Sequence, residues 1–476
     1  MTKKRPAIGT TPVKSSVPVD VTDATFKANP FPFYAQLRAA SPVFLVKLPT
    51  KQHAWLITRY DDVLNVLKDE RFAKDRRNAM TPEQLKKLPW IPPMFKPLEH
   101  NMLDLDSPNH TRLRALVHKA FTPRLIEQMR GQIQALTNEL LERAALGGGM
   151  DVIADFALPL PLTMIGRILG VPAQDHQKFH RWSKTLISAG TNRNLLVLIP
   201  SIMSFMGYLK KLIKERHAHP KDDLVTALIQ AKDGSDQLSE DEILAMIILL
   251  LVAGHETTVN LIGSGTLALL EHPDQLAKLR SEPSLIKTAI EELVRFVCPV
   301  EMATERYARE AITIAQTTIP RGELVMAVIG SANRDANAFD HPDSLDITRK
   351  NNKHLAFGHG VHFCLGASLA RLEGQIAIST LIQRMPNLRL SLPPDQLRWR
   401  GTFLLRGLEQ GVKLFLQSAR LNLDKVVALP DRRRLEAVEE RFVVDGQIAP
   451  ITASYSKCIN AKKASPGSEP FAEVHI

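Results

Sequence analysis

The sequence predicts a mainly α-helical protein with a minor β region, an α+β chain organised around one long helix near its middle. Three observations lead there. Apolar residues recur with 3.6-type spacing over 155–170, 174–190, 195–216 and 222–232, the period of helices buried on one face. A segment opening at Ser239 meets no proline until Pro273. Strand-like runs are few and short, and no β–helix–β alternation is present to build a parallel sheet.

Taken in order, residues 1–22 form a tail rich in Lys, Pro, Thr, Ser and Val, with no apolar stretch of signal-peptide or anchor length. Phe31–Ala40 has helical character, and two strand-like pieces follow at Val43–Leu48 and Ala54–Thr58, the first stopping before Pro49. Met80–Glu99 is rich in Pro and Lys and lacks a period, which predicts a long loop of the kind that carries function or disorder. Thr122 followed by Pro123 supplies a cap and a first-turn proline for a helix reaching about Ala145.

Ser239 and Glu242 make a capping box for the long helix. Its run to Pro273 is roughly 48 Å at about 1.5 Å per residue, long enough to cross a whole domain. Gly254 interrupts it at a cost of about 1 kcal/mol against alanine. With His255, Glu256, Thr257 and Thr258 beside it, the interruption is either a kink or a polar groove in a buried site. Beyond come a helix at 284–297, strand-like pieces at 311–315 and 324–329, an irregular stretch from Asn333 to Gly366, and a last helix to about Arg384.

The cysteines, Cys298, Cys364 and Cys458, are odd in number and stand 66 and 94 residues apart, which excludes a disulfide scaffold and CxxC-type metal clusters. A reducing, cytoplasmic setting is expected. The strongest apolar run, Ile243–Gly254, is short of the roughly 20 residues a bilayer needs, so no membrane association is expected. The net charge is +11, yet no basic run with interleaved aromatics suggests nucleic acid. From Leu421 onward eight Lys/Arg balance eight Asp/Glu, so the excess lies in the body, where it suits an ordinary basic surface or an acidic protein partner.

The densest chemical signal is Phe357-Gly358-His359-Gly360-Val361-His362-Phe363-Cys364-Leu365-Gly366. The glycines permit tight turns and close approach to a bound group. A helix opening just after Cys364 would aim N–H groups and a positive dipole end at the sulfur, lowering the thiol pKa toward the metal-ligating thiolate. An isolated cysteine is more often a buried structural residue. This loop resembles the cysteine-ligand loop of cytochromes P450, FGxGxHxCxG, matched at Phe357, Gly358, Gly360, His362, Cys364 and Gly366.

The resemblance extends over about Ala24 to Gln417. Ala253-Gly254-His255-Glu256-Thr257 is similar to the family's (A/G)Gx(D/E)T motif, in which the glycine leaves room for dioxygen and the acid–alcohol pair delivers protons. Glu292-Leu293-Val294-Arg295 matches the ExxR pair, implying a structural network of Glu292, Arg295 and Arg349, although Glu127–Arg130 has the same spacing and proves nothing alone. His110 and Arg114 match the family's HxxxR, and the resemblance implies these two, with Arg306 and His354, as partners of the haem propionates. His255 is bulkier and more polar than is common at its position. Bacterial members usually end near Gln417, so residues 419–476, with Arg432-Arg433-Arg434, form an extension to which no role is assigned.

What the resemblance implies is a cytochrome P450 domain over 23–418, with the long helix above a haem and the cysteine loop beneath it. Cys364 would ligate the iron of haem b, with Phe357, Gly358 and Gly366 against the cofactor and dioxygen as co-substrate. Glu256 and Thr257 would be catalytic. By family position the substrate would meet the 80–100 loop, Leu250, Val252, Ala253, Val300, Met302, Phe403 and Leu404. The implied enzyme is a monomeric monooxygenase, similar to bacterial members acting on polyketides or macrolides, which hydroxylates or epoxidises a small apolar molecule. A ferredoxin or flavodoxin with its reductase would supply electrons, docking near Arg112, Lys119 and Arg371. A peroxygenase, another P450 oxidation such as coupling or desaturation, and a non-catalytic haem sensor remain alternatives.

Overall fold

The computed structural model describes residues 20–48, 52–86, 101–146, 149–189, 195–409, 413–415, 442–444 and 447–449. The chain divides into two compact units, Met1–Ser418 and Ala419–Ile476. In the second, Phe442–Val444 and Gln447–Ala449 pair as an antiparallel hairpin. Residues 1–19, 87–100 and the arginines at 432–434 lie outside the described residues, so most of the expected tail, loop and extension do too.

The first unit is helical around one mixed sheet. Its strands are β1 (Val43–Lys47), β2 (His53–Ile57), β3 (Phe72–Ala73), β4 (Arg306–Ala308) and β5 (Leu324–Ala327), in the order β1-β2-β5-β4-β3. β5 runs parallel to β2, with Leu324 opposite Ala54 and Ala327 opposite Ile57, and the other pairs are antiparallel. Because side chains alternate along a strand, Trp55, Ile57, Val325 and Ala327 join one apolar cluster while Ala54, Leu56, Leu324 and Met326 join another. Both faces are buried, which is why β5 is a continuous apolar run.

Six helices position the site: α1 (Asn109–Ala120), α2 (Arg130–Leu146), α3 (Pro159–Ile168), α4 (Glu240–Glu271), α5 (Ile286–Val297) and α6 (Ala367–Arg384). α4 has the 32 residues its sequence predicts, and the Ser239–Glu242 capping box forms. It is long and apolar enough to cross a bilayer by length and composition. Instead it packs against α3, α5 and α6, as a helix apolar nearly all round must do in a globular core.

Two expected helices differ in detail. The run from Pro123 breaks at the buried Met129, between Pro123–Gln128 and α2. The apolar segment at 155–170 becomes a π-helical turn, Val152–Ala157, before α3 starts at Pro159, a residue tolerated in a first turn but not in a helix interior.

Candidate active site

The loop from Phe357 to Gly366 closes on itself through short backbone bonds, Gly358 N–H to Leu355 O at 2.8 Å and Cys364 N–H to Phe357 O at 2.9 Å. Gly360 has φ +72°, and a Cβ there would stand 2.9 Å from Leu67 O, so only glycine fits. Gly366 N–H donates to the Cys364 sulfur ahead of α6. The expected lowering of the thiol pKa is corrected here. Burial pushes it up, and Gly366 N–H, Arg114 and Arg371 only partly oppose that.

Beside this loop the structure gathers basic side chains, of which the arginines carry the charge. His110 and Arg114 sit one turn apart on α1, Arg306 comes from β4, and the His110 and His362 rings lie 4.1 Å apart. Burial brings Arg306 down to about 10. Burial first, then His110, Arg306, Lys74 and Arg114, hold His362 down at about 2. Lys74, at about 8 through burial, spends its ammonium on Thr304 Oγ1 and Glu305 O. Among the described residues, both ring nitrogens of His110 and Nε of Arg306 are buried without a hydrogen-bond partner. The acid acting on this group, Asp106, is already bound by the N–H of Lys74, by Asn78 and by Arg309. A buried positive cluster of this kind calls for an anion.

His354 is not part of it. Its Nε2 lies 3.1 Å from Glu291 Oε2, and Arg371 grips the same carboxylate at 2.6 and 2.8 Å while stacking over Phe357. Glu291 is thereby held down at about 2. His362, from the quoted loop, instead stands beside His110, Arg306, Lys74 and Arg114, neighbours it shows only in three dimensions. The proposed docking cations are likewise engaged within the chain: Arg112 with Asp236 and Glu242, Lys119 with Asp233, Arg371 with Glu291.

On α4, Val252 and Ala253 are exposed and Leu250 half-buried, while His255 is buried. Thr257 Oγ1 donates to Ala253 O at 2.8 Å, and Glu256 pairs with Arg400 Nη1. The acid and alcohol expected to act together thus start with separate partners. An added Cβ on Gly254 would face Ile165 of α3 at 3.3 Å, so this glycine serves close helix packing. Met302, expected against substrate, is fully buried in the sheet cluster. Val300 bridges to Leu405, and Leu404 O accepts from the N–H groups of Glu301 and Met302, which sets Val300, Phe403 and Leu404 on adjoining segments.

The structural pair is brought together. Glu292, fully buried, receives Arg295 at 2.8 and 2.8 Å, Arg349 at 3.0 Å, Asn352 Nδ2 at 3.1 Å and Asp346 N–H at 2.9 Å. Arg295 also donates to the carbonyls of Asn333, Pro342 and Ser344, so the pair pins the irregular stretch that leads into the cysteine loop.

The cytochrome P450 family model matches residues 21–405. The chain belongs to the cytochrome P450 family. It is 43% identical over 387 residues to "Polyketide biosynthesis cytochrome P450 PksS" of Bacillus subtilis, covering 81% of this chain and 95% of that protein. It is also 43% identical over 378 residues to "Mycinamicin IV hydroxylase/epoxidase" of Micromonospora griseorubida, covering 79% and 92%. The solved PksS structure superposes with a TM-score of 0.78 at 41% identity, over 84% of this chain and 99% of that one. P450BioI, solved in complex with a fatty-acid-ligated acyl carrier protein, gives 0.73 at 40% identity, over 83% and 99%.

As a cytochrome P450 the protein is an oxidoreductase of the monooxygenase type with haem b as cofactor and dioxygen as co-substrate. The residues present fit that group: one buried sulfur with a backbone N–H on it, and a cationic cluster with unpartnered nitrogens suited to two propionates.

Proposed function

We propose that this P450 inserts one atom of dioxygen into a C–H or C=C bond of a bulky apolar substrate, hydroxylating or epoxidising it in the cytoplasm for secondary metabolism. What supports this reading most is the buried cationic cluster beside the Cys364 loop. Haem held by Cys364 supplies the iron at which dioxygen is reduced, its thiolate favouring O–O cleavage. His110, Arg114, Arg306 and His362 hold the propionates, with Phe357 and Gly358 against the ring. Thr257 offers a hydroxyl at the α4 face, and Glu256 reaches it by leaving Arg400, a proton-delivery role worth typically about 10²–10⁴-fold.

Leu250, Val252, Ala253, Val300, Phe403 and Leu404 supply apolar walls with few polar contacts, which suits a polyketide-like substrate. A carrier-protein-bound acyl substrate is the second reading, favoured by the P450BioI complex and by the basic body of this chain. Electrons come from a separate ferredoxin or flavodoxin with its reductase, docking on the face that carries the part-exposed Arg112, Lys119 and Arg371.

The reduced, carbon-monoxide-treated protein is expected to give the red-shifted thiolate band, and Cys364→Ala to abolish it. A histidine-type band in the native protein would sink the assignment. Thr257→Ala should keep haem while diverting electrons to peroxide or water. Full coupling of electrons to product in that variant would remove Thr257 from the mechanism.

A further inference from the structure

The apolar segments around Val300 and around Phe403 and Leu404 lie side by side, yet Val300 and Leu405 meet as an isolated bridge rather than within a sheet. Glu301 and Met302 N–H share the Leu404 carbonyl at 2.9 and 3.1 Å, and Arg406 N–H reaches Pro299 O at 3.1 Å. Backbone bonds this few leave much of the spacing between the two segments to side chains.

A buried polar cluster joins them, and one member comes from far upstream. Lys27, on the short helix Ala24–Ala28, is fully buried; its ammonium pairs with the Glu301 carboxylate at 3.0 Å and donates to Phe403 O at 3.4 Å. Each apolar segment thus offers one oxygen to the same ammonium. Both partners are themselves fixed. Tyr34 donates to the other Glu301 oxygen, Gly330 N–H donates to Glu301 O at 2.9 Å, and a Cβ on Gly330 would stand 3.2 Å from Glu301 Cγ. Arg406 donates to the carbonyls of Lys27 and Ala28 at 2.9 and 2.9 Å, oxygens that a helix end leaves open, and so holds the lysine's own helix against the second segment.

Stability alone does not account for a lysine here, because well-packed apolar side chains often serve as well as a buried ion pair. An ammonium does what an apolar chain cannot: its three donors hold oxygens from two separate segments about one point. We propose that Lys27 is a specificity-determining positioning residue, whose ammonium ties Glu301 to the Phe403 carbonyl and so sets the spacing of the two apolar segments that face substrate. It acts through those segments and does not itself meet the substrate. The proposal rests on the reading of Val300, Phe403 and Leu404 as substrate walls.

The test titrates the haem-loaded full chain with imidazole and with phenylimidazole, reading both affinities from the visible spectrum. The two bind iron through the same kind of ring nitrogen and differ by a phenyl ring, so their affinity ratio reads what the apolar walls contribute. Lys27→Met is expected to weaken phenylimidazole about fivefold relative to imidazole, the scale of losing the pre-ordering of one or two side chains at a binding surface. Lys27→Met/Glu301→Leu leaves no unpaired charge, so it should regain folding stability. Its ratio should nevertheless stay altered, because Phe403 O still lacks the ammonium.

Leu404→Ala reports on the walls themselves and should also shift the ratio. With that shift present, a native ratio in Lys27→Met would overturn the proposal, as would a ratio that returns together with stability in the double variant, the mark of a purely structural lysine. A native ratio in Leu404→Ala would sink the reading of these segments as substrate walls, and the proposal with it. No turnover enters this measurement.

Discussion

Replacing Lys27 by methionine would expose the cost of one buried charge at the edge of the site. Lys27 and Glu301 have fully buried side chains and form an ion pair 3.0 Å apart. Tyr34 donates to the other Glu301 oxygen, and nearby Arg406 is committed to the carbonyls of Lys27, Ala28 and Val297. Methionine keeps most of the lysine stem's volume and removes the charge together with the 3.4 Å bond to Phe403 O, leaving the Glu301 carboxyl with a single phenolic donor. Breaking a buried pair from one side costs about 3–5 kcal/mol, and the surviving Tyr34 bond places this case near 3. That is a large share of a total stability of about 5–15 kcal/mol.

Urea unfolding of the haem-loaded protein reads this loss as a lower midpoint at unchanged slope. Salt should leave it unaltered, since the pair is out of reach of screening. The double variant Lys27→Met/Glu301→Leu should recover most of the loss, because no unpaired charge remains. A single variant within about 0.5 kcal/mol of the native protein, a shift usual for surface changes, would refute the reasoning. A double variant as unstable as the sum of both singles would refute it equally.

Arg112→Glu sets a third carboxylate against Asp236 and Glu242 and removes a restraint between α1 and the start of α4. With the pair one-third exposed, its expected cost is about 1 kcal/mol in thermal unfolding; slower partner reduction at native stability would mark Arg112 itself as a docking contact. Glu373 gives a stability profile with a definite sign. Its pKa rises from 4.5 in the unfolded chain to about 8 in the fold. Its contribution is therefore full below about 4.5 and fades as pH climbs to about 8, on the order of 5 kcal/mol in all. The native protein minus Glu373→Gln should trace that decline in urea unfolding, and a flat difference would mean the carboxyl is ionised in the fold.

Much of the architecture was legible because its signals are local. α4 declares its start through Ser239 and Glu242 and its end through Pro273, and the cysteine loop concentrates six matched positions in ten residues. The break at Met129 was not legible, because the apolar spacing continues through it and the interruption comes from backbone geometry at one buried residue. Charge partners were the least legible of all. Glu256 and Arg400 are separated by 144 residues, and Arg112 and Asp236 by 124. A basic residue in a sequence carries no record of the acid that will meet it, so the intramolecular partners of Arg112, Lys119, Arg371 and His354 emerge only from the fold.

The two Glu-x-x-Arg pairs put this in physical terms. Glu127–Arg130 and Glu292–Arg295 share the i,i+3 spacing, and both form. The first pair is at least half exposed and makes no contact that water could not replace, so it contributes little. The second is fully buried, and burial alone would make it a liability. What turns it into an anchor is the surrounding set: Arg349, Asn352 and Asp346 N–H complete the carboxylate, and three carbonyls complete the guanidinium. Every one of those groups comes from 333–352, the irregular stretch with no period of its own. That stretch lacks helix or sheet bonds to hold it, so the pair supplies the bonds, and the cysteine loop inherits its position from a motif some 70 residues upstream.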